Sequence, residues 1–213
     1  MTLSELVTQV RSQLAEPANT PDAQKFWTDV EIKAWINRGY EQFCMATKIV
    51  KDIIIKTVAE DVKEKTIETQ FVQIDRIEWK DSDNNITELF PIAIEDVDFS
   101  SDADTGTPTN YYLRSRNVIG LDPTPDTEGT LRIFCSYIPS TLTDEVPNPV
   151  IPSMFQDALV EFALWKARLK YPEDRKLQLF IEHKTNFRDL VVAAIKQNST
   201  LKKKTTGIKP RLS

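Results

Sequence analysis

The chain has 213 residues, 40% hydrophobic and 28% charged, with a formal net charge of −5. That size and balance suit one domain, or one domain interrupted by another, with a buried core, and they exclude bulk disorder. Five of the 27 basic residues lie in 198–213 with no acid among them, so the remaining body sets 22 basic side chains against 32 acidic ones, a net of −10. Such a body repels a polyanion and makes a poor broad surface for nucleic acid.

The first helix is signalled by Thr2-Leu3-Ser4-Glu5, which has capping-box spacing, followed by Leu3, Val7, Val10 and Leu14 at helical intervals. MTLSELVTQVRSQL lacks a basic region followed by an apolar run, so it does not read as a signal peptide. EPANTPDAQ, with two prolines, reads as a turn-rich linker. Thr28-Asp29-Val30-Glu31 forms a second capping box, with Trp27 as the staple residue before it. Ile32, Trp35, Ile36, Gly39, Tyr40 and Phe43 then line one apolar face to about Thr47.

From Lys48 to Pro139 the period shortens. IVKDIIIKTV, TQFVQIDRIEWK, NITELFPIAI, NYYLRSRNVIGL and TLRIFCSYI are β-branched or aromatic, and Asn, Asp, Gly and Pro punctuate them, which predicts antiparallel strands. VIGLDPTPDTEGTLRIF reads as a hairpin. Residues 50–139 hold 18 acids and 9 bases, so nearly all of the negative charge of the body sits in this block.

VPNPVIP predicts a hinge, and Phe155, Ala158, Leu159, Phe162, Ala163 and Leu169 predict a helix from about Ser153 to Tyr171. Pro172 breaks it, and Glu173-Asp174 open another whose stripe is Leu177, Phe180, Ile181, Phe187, Leu190, Val191, Ala194 and Ile195. The expected fold is α+β: terminal helices forming a four-helix bundle, an inserted antiparallel β domain and an extended C-terminal tail. Its parts are the bundle halves 1–47 and 153–197, the β domain 48–139, the proline-rich hinge 140–152 and a basic docking tail 198–213.

Chemistry is sparse. The single histidine, His183, sits in a polar helical turn and reads as a surface residue. No phosphate-cradling glycine loop occurs, and two histidines spaced for zinc cannot exist in a chain with one. Asp98, Asp102 and Asp104 lack the turn glycine and terminal glutamate of a calcium loop, and Asp81-Ser82-Asp83-Asn84-Asn85 reads as a hairpin turn. Cys44 and Cys135 lie in apolar stretches and read as buried free thiols in a reducing cytoplasm. No apolar run is long enough to span a bilayer. The expectation is no enzyme, no catalytic residue, no metal, no cofactor and no membrane.

Two stretches carry a resemblance. WTDVEIKAWINRGYEQFC, through Trp27, Glu31, Ile32, Trp35 and Asn37, resembles the second helix of tailed-phage head-to-tail adaptor proteins. The later run is similar to the β hairpin of that family and the helix after it, through Leu121, Pro123, Pro125 and Asp126, then Tyr137 and Pro139, then Ile151, Pro152, Phe155, Asp157, Ala158 and Leu159. The pieces fall in order over roughly residues 1–197.

The resemblance implies a virion structural protein of the neck, assembled in the host cytoplasm. It implies a dodecameric ring beneath the portal protein that extends the DNA channel and presents a surface to the tail or nozzle protein. DNA would pass through without sequence-specific binding, and an acidic lining from the β insertion would lower its adhesion. It also implies that the C-terminal tail reaches onto the portal.

The tail combines Lys202, Lys203, Lys204, Lys209 and Arg211 with Leu201, Ile208, Pro210 and Leu212, apolar residues that a purely electrostatic arm does not need. Free, it cannot bury enough surface to offset its chain entropy, so a docking strap held in an acidic groove between portal subunits is expected, by addition to a sheet edge. Two alternatives stay open: a DNA-binding accessory protein acting through this basic tail, and a hydrolase with an unrecognised carboxylate pair.

Overall fold

The computed structural model describes residues 1–15, 26–68, 71–100, 104–170 and 177–206, with side chains of the last helix from 178 to 200. The chain divides into two compact units, residues 1–50 with 139–213 and residues 51–138.

The first unit holds four helices among the described residues: α1 (Leu3–Gln13), α2 (Asp29–Thr47), α3 (Asp157–Leu169) and α4 (Leu177–Thr206). Both predicted capping boxes form. Thr2 and Thr28 accept from the Glu5 and Glu31 N–H groups, and those carboxylates accept in return from the Thr2 and Thr28 N–H at 2.7 and 3.0 Å. Two of the four orphan donors at each helix start are thereby satisfied. Leu3, Leu6, Val7 and Val10 are buried on α1, and Ile32, Ile36, Tyr40 and Phe43 on α2. On α3 the buried residues include Ala158, Leu159, Phe162, Ala163 and Leu164. Helix α3 starts later than predicted, because residues Ser153–Phe155 form a 3-10 turn first.

The expected fold class does not hold. In a four-helix bundle, helices of matched length surround one axis and diagonal partners stay apart. Here α1 has 11 residues and α4 has 30, and α2 packs directly on α3 while α1 and α4 each pack on both of them. The helices therefore form two triangles sharing the α2–α3 edge. Helix α4 also runs on to Thr206, so residues 198–206, expected as the start of an extended tail, are helical. Ile181 and Ile195, expected in its buried stripe, are exposed, while Phe187 and Ala194 are buried.

The second unit is a sheet of seven strands among the described residues: β1 (Lys51–Val58), β2 (Glu64–Thr66), β3 (Phe71–Lys80), β4 (Ile86–Pro91), β5 (Asn110–Ser115), β6 (Val118–Asp122) and β7 (Gly129–Tyr137). Their order is β1-β7-β3-β4-β5-β6-β2, and the sheet curls into a nearly closed, barrel-like form. It is mixed rather than antiparallel. After Pro91 the chain passes through a 3-10 turn at Ile94–Asp96 and returns in the same direction, so β5 lies parallel to β4 through Phe90↔Asn110 and Pro91↔Tyr111.

The predicted β6–β7 hairpin is also absent. A two-residue turn at Arg116-Asn117 returns β6 onto β5, and β7 pairs instead with β1 and β3. Alternate residues fill the interior, among them Ile77, Trp79, Leu89, Ile119, Leu121, Leu131 and Ile133. Each large aliphatic side chain buried this way contributes about 1.5–3 kcal/mol.

Candidate functional site

The α2 motif residues converge on the hinge and on α3, within the first unit. The Trp27 indole N–H donates to the Ala167 carbonyl at 3.2 Å, which fixes the entry to α2 against α3. Glu31 serves twice: beyond its capping role, its Oε1 accepts from Lys170 Nζ at 2.8 Å. That hydrogen bond from Lys170, then the one from the Thr28 backbone, holds its carboxyl below the ordinary value. Ile32 is fully buried, and Trp35 is half-buried.

Asn37 Nδ2 donates to the Leu142 carbonyl at 3.0 Å, and its Oδ1 accepts from the Leu142 N–H at 2.8 Å. Tyr40 adds a third tie, its hydroxyl oxygen accepting from the Val150 N–H at 2.9 Å. The hinge is thus held to α2 through its backbone. Pro152 precedes the 3-10 turn and accepts from the Phe155 N–H at 2.9 Å, while Asp157 opens α3, where the helix dipole favours an acid.

Sequence reasoning missed Arg11. It occupies the buried stripe of α1, and its guanidinium donates to the Asp29 carboxylate and, at 3.0 Å, to the Trp27 carbonyl. The signal was available: Arg11 falls between Val10 and Leu14 on the apolar face, where a charge survives only with partners. Lys170, the partner of Glu31 from the other end of the sequence, carried no such signal.

Pro123, Pro125 and Asp126 belong to the second unit. Asp122-Pro123 is a cis peptide bond, Pro125 is buried and accepts from the Asp61 N–H at 2.9 Å, and Asp126 is exposed. These residues shape the loop between β6 and β7.

Among the described residues no group of three or more His, Cys, Asp or Glu side chains could hold a metal ion. Asp98 accepts from the Ser100 N–H at 2.8 Å, and Asp102 lies outside the described residues. His183 departs from the surface reading: it is buried, with Nδ1 2.8 Å from Glu161 Oε2 and Asn186 Nδ2 donating to the same oxygen at 3.3 Å. Both cysteines are free and buried; burial pushes the Cys44 thiol up to about 12 and the Cys135 thiol up to about 11. No helix among the described residues is long and apolar enough to cross a membrane.

Of the expected docking tail, Leu201, Lys202, Lys203 and Lys204 fall on the final turns of α4, and their side chains are not described. Ile208, Lys209, Pro210, Arg211 and Leu212 lie outside the described residues.

The hydrogen bonds of Trp27, Glu31 and Asn37 fix helix ends and hinge backbone, which is the work of a scaffold. Comparison with known families agrees with that reading. The chain matches the SU10 adaptor protein family over residues 1–205, through both units, and belongs to it. This is a family of phage head-to-tail adaptors, structural components of the virion that associate with other phage head and tail proteins. No curated protein matches the chain.

Proposed function

We propose that the chain forms a ring under the portal, extends the DNA channel and joins the capsid to the tail in the neck of the virion. A dodecamer is the expected closure, assembled in the host cytoplasm, with the portal on one side and the tail or nozzle protein on the other. The family match through both units is the observation that carries this reading. The charge distribution supports it further. Residues 50–139 carry 18 acids against 9 bases, and a channel lined by part of that surface lets DNA slide without gripping its phosphates. A ring structure with those acids all on its outer wall would overturn the lining.

The basic segment from 198 onward docks on the portal in this reading, with Lys202–Lys204 presented on helical backbone. Co-sedimentation with the cognate portal ring tests it, using the full chain and truncations ending at Thr206 and at Asn198. Binding by the full chain that either truncation loses supports the docking strap, and the pair of truncations separates the helical residues up to Thr206 from residues 207–213. If the full chain fails to bind the portal but retards DNA at low salt, the adaptor reading falls and the accessory DNA-binding reading replaces it.

A further inference from the structure

The two halves of the β sheet are finished differently on their outer side. On the β5–β6 half, Tyr111 packs against the core, so Tyr112 and its neighbour Gly120 face outward. The segment Ile94–Phe99 covers that face: Phe99 packs edge-on against Tyr112 with ring centroids 5.6 Å apart, and Lys63 Nζ lies 5.0 Å from the Phe99 ring. Phe99 is nevertheless 56% exposed, and Glu95, Asp96 and Asp98 around it are exposed. The result is an acidic knob with an aromatic tip.

Among the described residues the β1–β7–β3 half is left open at Ile53 and Ile55. Ile53 and Ile55 are 44% and 62% exposed, and the register places them beside Phe134 and Arg132. Phe134 in turn lies opposite Arg76, whose guanidinium sits 4.3 Å from its ring centroid. Glu78 holds Arg76 at 2.8 Å and Arg132 at 3.0 Å. Arg76, Arg132 and Lys80 against Glu78 and its cross-strand neighbour Glu88 leave this apolar face net positive by one charge, inside a unit whose total is strongly negative. Arginine, aromatic and aliphatic side chains so arranged are the composition of a protein interface core.

We infer that the acidic Phe99 knob of one copy docks on the Ile53–Ile55–Phe134 face of the next copy, with Glu95 and Asp96 meeting Arg76 and Arg132. Charge complementarity selects this occupant: within the acidic unit the face is basic and apolar, and the knob is acidic with an exposed aromatic tip. The two surfaces are different patches of one unit, so the contact is head-to-tail, the kind that closes into rings. This pairing rests on the proposed ring and adds the surface that joins its subunits.

The test uses full chains whose changes fall on exposed positions. One variant carries Ile53→Glu and Ile55→Glu, and a second carries Glu95→Lys and Asp96→Lys. Assembly is read by sedimentation velocity, alone at high concentration and with the portal ring. The expected result is loss of the wild-type oligomer in both variants. A mixture of the two retains one compatible contact and should stop at dimers. If the wild type assembles and both two-site variants assemble as well, this pairing is overturned while the ring stands. If the wild type stays monomeric under both conditions, the ring reading itself is overturned, and the pairing with it.

Discussion

Asn37 grips Leu142 by both backbone groups, donating to its carbonyl at 3.0 Å and accepting from its N–H at 2.8 Å, 105 positions apart in the chain. The amide side chain replaces a strand partner for a hinge residue whose own side chain is buried. Asn37→Ala removes both partners at once, and each buried group left unsatisfied costs on the order of 1–3 kcal/mol. Denaturant unfolding should show the helical unit destabilised by at least that amount. An unchanged midpoint would mean that solvent reaches the hinge and replaces the amide.

How much of this could be read in advance depends on the range of the interaction. The capping boxes at Thr2 and Thr28 are local patterns of four residues, and both formed as read. Strands were legible from β-branched runs, with the exception of β2, whose Glu64-Lys65-Thr66 has no apolar alternation to reveal it. Pairing was not legible. The parallel β4–β5 contact and the separation of β6 from β7 depend on which edge a returning strand meets, and no local signal encodes that. The helical assembly failed for a related reason: apolar stripes on α1 and α4 say that each is buried, without saying against which neighbours. At the site, Trp27, Glu31 and Asn37 could be singled out by resemblance, but their partners Ala167, Lys170 and Leu142 are all more than a hundred residues away.

Gly120 tests the outer face of the sheet. A Cβ built there would lie 2.0 Å from Cζ of Tyr112, so even alanine must displace the ring from Glu64, whose Oε1 accepts from the Tyr112 hydroxyl at 3.1 Å. Overpacking of this kind costs about 1–3 kcal/mol, and loss of the hydrogen bond adds to it. Gly106→Ala is the control, since its Cβ would meet only Pro123 at 3.6 Å, an ordinary contact. Gly120→Ala should lower the unfolding midpoint clearly and Gly106→Ala hardly at all.

The two thiols offer one reporter per unit. Burial pushes Cys44 up to about 12 and Cys135 up to about 11, so at pH 8 both are protonated as well as enclosed. A thiol reagent should therefore label neither in the native protein, and labelling should appear only as each unit opens with denaturant. Quantifying modification at the two sites by mass spectrometry gives the order of opening. Rapid native labelling of either cysteine would contradict its burial.

Glu31 makes the last prediction, and its sign is set by its hydrogen bonds. The Lys170 side chain first, then the Thr28 backbone, stabilise its carboxylate and depress its pKa below the ordinary 4.5 in the folded chain. A depressed acid contributes stability that is fully present above the unfolded value and is lost as pH falls through the folded one. Glu31→Gln keeps an oxygen acceptor for the Thr28 N–H and removes only the charge facing Lys170. Because both side chains of this pair are about a third exposed, solvent screening limits the effect to about 0.2–1 kcal/mol. Urea midpoints of wild type and Glu31→Gln should differ by that small amount at pH 7 and converge as the pH drops below 4.5, the unfolded-state value. A gap that persists at pH 3 would mean that Glu31 acts through its shape in the capping box and not through the charge that Lys170 meets.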